Sequence, residues 1–175
     1  MNGIKLHTAL LEELFGPIRL RILRQEDSLR MVHLLDKDEI SRTMGIVHFR
    51  NTDHPLIKAA HGCILGGALL GKTLLDREIP YSKDTLFQLK VCLPAWVSRD
   101  FLSDQDTTVA NYSRITIEDR AKGRRFLYAD LFEIIPPEII HLVPKPPMTH
   151  QAAAENCANL LSFAGITISL NDTEL

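Results

Sequence analysis

Apolar and polar positions along the chain alternate more often than they follow a helical period, so strands are the main elements the pattern predicts. A helix comes first. In KLHTALLEELFG, Leu6, Leu10, Leu11 and Leu14 share one broad face, Thr8 offers an N-cap with Glu12 one place late for a capping box, and Gly16-Pro17 stops the run. PIRLRILRQ then sets Ile18, Leu20 and Ile22 against Arg19, Arg21 and Arg24, as a half-solvated strand does. LRMVHLLDKDE is too short for its pattern to decide between helix and strand. ISRTMGIVHFR and LIKAAHGCIL read as two strands joined by a hairpin that Asn51, Asp53 and Pro55 punctuate. DTLFQLKVCLPAWVSRDFL is mixed, with one helical turn expected near Asp84 and a loop at Leu93-Pro94. TTVANYSRITIEDRAKGRRFLYADLFEII reads as a second hairpin turning at DRAKGR. PEIIHLVPKPPMT carries too many prolines for one regular element. HQAAAENCANLLSFAG reads as a terminal helix, capped by Thr149 and ended by Gly165. The fold class expected is α+β, mainly antiparallel.

Composition narrows the partners. A chain of 175 residues most naturally forms one domain. Its 20 Lys+Arg and 22 Asp+Glu leave a formal charge of -2, so no broad basic field points to nucleic acid or an anionic membrane. Any anion recognised here must be held by a few local arginines. Cys63, Cys92 and Cys157 lack paired spacing, which argues against a disulfide framework or a structural zinc site and for a reducing, cytoplasmic compartment. No apolar run approaches a membrane span, and the N-terminal stretch is amphipathic with two glutamates, so neither export nor anchoring is expected. The seven histidines form no compact ligand pattern, and no metal is expected.

GGALLGKT places Gly66, Gly71, Lys72 and Thr73 at the fixed letters of a phosphate loop. A phosphate loop needs a buried strand before it and a helix after it. Pro80 follows Thr73 by only seven residues, and no parallel strand-helix alternation continues, so nucleotide hydrolysis is not expected.

The stretch FLYADLFEIIPPEI, residues 126–139, is apolar yet carries two acids. Strand alternation puts Asp130 with Phe126, Tyr128 and Phe132, and Glu133 with Leu127, Ala129 and Leu131. A carboxylate pointing into an apolar core needs a partner or loses its charge. At least one of the two must therefore face water or line a polar site.

The order of these segments resembles the chorismate lyase family. TALLEELFGPIRLRILRQ is similar to that family's opening helix, glycine and strand. ISRTMGIVHF with HPLIKAA resembles its arginine-bearing strand and partner, GALLGKTL its Leu-Gly segment, and NYSRITI with ADLFEIIPP its closing hairpin with acid and proline. The resemblance spans about residues 7–138, which divides the chain into a lyase-like domain over 1–148 and a C-terminal helical extension over 149–175 packed on it. What it implies is an antiparallel sheet with helices and lid-like loops around a buried pocket for a small carboxylate. The implied activity is that of a cofactor-independent carbon–oxygen lyase, cleaving chorismate or a close analogue to a hydroxybenzoate such as 4-hydroxybenzoate and pyruvate.

By the same resemblance Arg42, Leu70, Gly71 and Arg114 bind substrate, and Arg42 with an acid acts in catalysis. Two registers remain open for that acid. Counting from the turn at Gly123 matches Asp130, whereas counting back from Pro136 matches Glu133 and keeps the residue type. They present opposite faces of the strand unless a bulge intervenes. An arginine suits the carboxylate as a bidentate clamp, and an acid shielded in an apolar pocket can gain a raised pKa suited to proton transfer. The alternative is an aromatic or sugar acid-binding protein without turnover, like the ligand domains of bacterial transcription regulators. Those carry an upstream DNA reader, and no DNA-reading part is visible in this sequence.

Overall fold

The structure is a computed structural model and describes residues 7–143 and 158–168. Three consecutive strands, β1 (Arg19–Glu26), β2 (Leu29–Leu35) and β3 (Ser41–Phe49), form an antiparallel meander. A second group contains β4 (Tyr81–Cys92), β5 (Thr107–Asp119) and β6 (Arg124–Ile135), with β5 and β6 joined by a tight hairpin. β3 pairs with β6, so the two groups merge, and with a short last strand β7 (Thr167–Ile168) the described residues form one seven-stranded sheet of order β1-β2-β3-β6-β5-β4-β7. All described strand pairings are antiparallel. The architecture is α+β, with helices flanking the sheet.

Both faces of the central strands are covered, which is why the polar alternation fades toward the middle of the sheet. On one face, α2 (Pro55–Leu65) and α3 (Leu70–Asp76) bury Ile57, Ala60, Ile64 and Leu74 against Val47, Phe49 and Ile115. On the other, α4 (Ala95–Asp100) and α5 (Ala158–Ser162) bring Val97 and Leu161 onto Met44, Ile46, Phe132 and Ile134. α1 (His7–Phe15) sets Leu11 against Leu34, Ile135 and Ile139 beside a short 3-10 turn at Pro137–Leu142. β7 (Thr167–Ile168) adds a short edge pairing to β4. β1 is the other edge, and its arginines are solvated there, Arg24 pairing with Glu26 at 2.7 Å.

Several local expectations change. The segment after Asn51 is a helix, α2, and no hairpin forms at 51–55. Pro55 sits at its first positions and His54 Nδ1 accepts from the Leu56 N–H at 3.3 Å, so the turn signals were those of a helix start. The helical turn expected near Asp84 is strand, because β4 continues through a bulge between Thr85 and Phe87. Thr8 is helical, within α1, and so not at its cap. Gly16 closes it in the left-handed region, φ +78°. The cap expected at Thr149 lies outside the described residues. Gly66 ends α2, so GGALLGKT connects two helices and no strand feeds it.

Candidate functional site

Between the sheet and the α1, α2 and α3 side lies a largely apolar cavity of about 80 Å³. One water takes roughly 10–15 Å³ by this measure, so there is room for about six waters. That is the size class of a one-ring acid. Register explains the lining. Leu20, Val32 and Leu34, Thr43, Gly45 and Val47, and Leu131 and Glu133 succeed one another across paired strands on one face. Leu70 and Gly71 close it from the start of α3. Gly45 pairs with Glu133, and an added Cβ there would stand 3.2 Å from Val32 Cγ2, so the glycine keeps the space beside the acid open.

Two charged centres enter this apolar space. At the first, β2 carries Arg30, which is 2% exposed. Its Nη1 donates to the Ile64 carbonyl at 2.6 Å and reaches that of Ala68 at 3.5 Å, which serves the open C-terminal end of α2. Nε and Nη2 are buried without a hydrogen-bond partner. Burial lowers the proton affinity of Arg30, but a guanidinium keeps its charge in proteins. Two unpaired donors on a buried cation beside a cavity are a costly arrangement that an anionic ligand would relieve.

At the second, Lys83 of β4 places Nζ 2.6 and 2.7 Å from the two carboxylate oxygens of Glu133. Both side chains are 11% exposed. Burial works to raise the pKa of Glu133, yet the Lys83 ammonium, then His7 and the hydrogen bond from Lys83, bring it below the ordinary range. The acid is thus held ionised, contrary to the expectation of a raised pKa. His7 at the start of α1 donates through Nε2 to Thr43 Oγ1 at 2.6 Å, since the Thr43 hydroxyl itself donates to the Arg42 carbonyl. Burial pushes the His7 imidazole below its usual range, against the pull of Glu133.

Of the residues singled out in the sequence, the structure brings Glu133, Leu70 and Gly71 to the cavity. Asp130 lies on the other face of β6. Its carboxylate accepts from the Tyr112 hydroxyl at 2.5 Å and pairs with Arg50 at 3.1 Å and Arg114 at 3.4 Å. Tyr112 is pushed up to about 12 by burial and by that hydrogen bond. Arg114, expected at the cavity, is half exposed over the Tyr112 ring on this opposite face. Arg42, expected as the carboxylate clamp, is not among the lining residues. Its guanidinium binds Asp36 Oδ2 at 2.6 and 2.7 Å and lies 4.3 Å from the Phe15 ring centroid. Asp36 also accepts from the Asp38 and Ile40 N–H groups, so Arg42 fastens the β2–β3 turn.

A bulge does interrupt β6, but it lies before both acids and leaves Asp130 and Glu133 on opposite faces. The β5–β6 ladder passes from Ala129 to Leu127 and skips Tyr128. Tyr128 consequently packs with Phe49 and donates to or accepts from His61 Nδ1 at 2.9 Å on the α2 side, while Asp130 turns to the other face. Arg30 and Lys83 were not singled out from the sequence. The signal available was alternation: Arg30 shares a strand face with Val32 and Leu34, and Lys83 shares one with Tyr81, so each is a cation set beside apolar or aromatic neighbours.

Compared with known proteins, the chain matches no family model and no curated sequence.

Proposed function

We propose that the cavity binds a small planar carboxylate and that the chain is a chorismate lyase-like enzyme, eliminating pyruvate from chorismate or a close analogue. The observation that carries this reading is Arg30: a fully buried guanidinium on an apolar cavity with Nε and Nη2 unpaired. A guanidinium fork with two unpaired donors matches a carboxylate bidentately. The antiparallel sheet, the Leu70-Gly71 segment over the cavity and the acid before Pro136 support a chorismate lyase-like fold. In this reading Arg30 takes the clamp role that the resemblance implied for Arg42.

The chemistry follows from the charge of Glu133. Forming a hydroxybenzoate requires loss of a ring hydrogen as a proton while the ring carbon–oxygen bond to the enolpyruvyl group breaks. The carbon–hydrogen electron pair completes the aromatic ring, and the carbon–oxygen pair leaves as the enolate of pyruvate. An ionised carboxylate is suited to take that proton and then return it to the enolate carbon. Nothing is oxidised or reduced. Apolar walls keep water from the enolate, and the nearby cations offset its charge.

Incubating the purified protein with chorismate and following 4-hydroxybenzoate and pyruvate tests the proposal. Equimolar appearance of both, abolished in Arg30→Met, is the expected result. Binding of 4-hydroxybenzoate without turnover would replace it with a binding role, and neither turnover nor binding would remove it.

A further inference from the structure

This inference rests on the lyase reading and concerns how the site tells a substrate from its product. Among the described lining residues the charged groups are Arg30, Lys83 and Glu133. A chorismate-type substrate has two carboxylates, one on the ring and one on the enolpyruvyl ether. Arg30, which lines the cavity, can meet one of them by turning its two unpaired donors to it. The second would be buried without a counter-charge, which is strongly unfavourable, unless another cation reaches it. Lys83 is the remaining cation of the lining, and it is bound to Glu133.

We propose that Lys83 is the second carboxylate-binding cation of the site: it exchanges Glu133 for the second carboxylate of a dicarboxylate substrate, and thereby frees Glu133 to accept a proton. A lysine suits such an exchange because its ammonium is a compact charge on a flexible four-carbon stem, able to swing between neighbouring anions without backbone movement. The exchange also turns Glu133 into a better base. With the ammonium gone, burial acts on the carboxylate with less opposition and raises its proton affinity at the moment when substrate is present. A monocarboxylate product makes no demand on Lys83, which returns to Glu133. Lys83 is on this account a specificity-determining residue as well as a positioning one.

The test compares two probes on wild type, Lys83→Met and Lys83→Arg: 4-hydroxybenzoate as the monocarboxylate and 3-(1-carboxyvinyloxy)benzoate as an unreactive dicarboxylate, with binding measured by titration calorimetry. Lys83→Met is expected to weaken the dicarboxylate by roughly thirtyfold or more, as loss of one partner of a buried charge pair does, and the monocarboxylate by less than about threefold. Lys83→Arg should recover most of the dicarboxylate affinity. Carbon-13 NMR titration of the Glu133 carboxyl should show it moving upward in Lys83→Met and upward again in wild type on adding the dicarboxylate, a readout that a purely structural lysine would not produce. Equal losses for both probes, or a Glu133 titration unmoved by the dicarboxylate, would overturn the inference. Wild type binding the dicarboxylate through Lys83 without turning over chorismate would instead remove the lyase reading and leave this one standing. If neither probe binds wild type, both fall. Should Lys83→Met fail to fold, Lys83→Gln carries the same comparison.

Discussion

Glu133 and Asp130 stand three residues apart on one strand and face opposite sides of the sheet, so their amide variants should fail in different ways. Glu133→Gln keeps the shape and an acceptor for Lys83 but cannot take a proton. If the chain turns over chorismate as proposed, that turnover should fall by about a hundredfold or more, the usual contribution of a general base, with a cooperative melting transition retained. Asp130→Asn should leave turnover within about threefold and instead cost about 1–3 kcal/mol of stability, because Tyr112 and the two arginines lose a charged partner at a site only 4% exposed. Kinetics alongside thermal melting of the two variants separates these outcomes, and the opposite ranking would move the working acid to the Tyr112 face. Which acid enters the cavity was only half legible from the residues. Alternation placed Asp130 with Tyr128, yet the bulge at Tyr128 breaks that association. A bulge adds a residue without any mark in the hydrophobic pattern that alternation could read.

At the scale of elements, what the pattern recorded well was local. The β5–β6 hairpin turns where DRAKGR lies, with Gly123 at φ +59° in the left-handed region its turn requires. α2 was misread because Pro55 and the polar residues before it serve a helix start as readily as a hairpin, and Ile57, Ala60 and Ile64 show their helical spacing only when their common burial is known. β2 was left undecided because both of its faces are buried. One face carries Arg30 and Val32 to the cavity, while the other carries His33 to α4. His33 is fully buried, its ring 6.0 Å from that of Trp96 and 6.2 Å from that of Phe101, and its Nε2 has no partner. Arg21 of β1 and Asp100 of α4 meet Nδ1 at 3.4 and 3.5 Å. Burial lowers the imidazole from 6.5 to about 4, outweighing the opposite pull of Asp100. A folded-state value below the unfolded one means that stability is fully present above about pH 6.5 and is lost as pH falls toward 4. The loss should be on the order of 3 kcal/mol over that window. Urea denaturation of wild type and His33→Phe at several pH values checks this, since the variant should lack most of the dependence, and equal slopes would assign it to other groups.

For the molecule as a whole, the sheet order is what makes a site, because it alone sets Arg30 of β2, Glu133 of β6 and Lys83 of β4 around one space. None of the three is near another in sequence, and the strand faces they occupy follow from pairings that a single sequence does not display. The Leu70-Gly71 segment was named from the order of segments, and Arg42 from the likeness of ISRTM to the family's arginine-bearing strand, with Arg30 passed over; the charge of Arg42 belongs to Asp36 and the β2–β3 turn. Among the described residues no helix is long and apolar enough to cross a membrane. If the buried guanidinium is the ligand's anchor, then ligand and fold must be linked, since a carboxylate that pairs with the unpaired donors of Arg30 binds the native state and not the unfolded chain. At a concentration of 4-hydroxybenzoate about a hundred times its Kd the native state should gain about 2.7 kcal/mol, seen as a higher Tm. Arg30→Met, which also removes the bond to the end of α2, should melt lower than wild type without ligand and show no gain with it. Arg42→Met should melt lower too, because Asp36 loses its cation, yet keep the full ligand-dependent gain. A gain that survives in Arg30→Met and vanishes in Arg42→Met would return the anchor to Arg42 and require the β2–β3 turn to open onto the cavity.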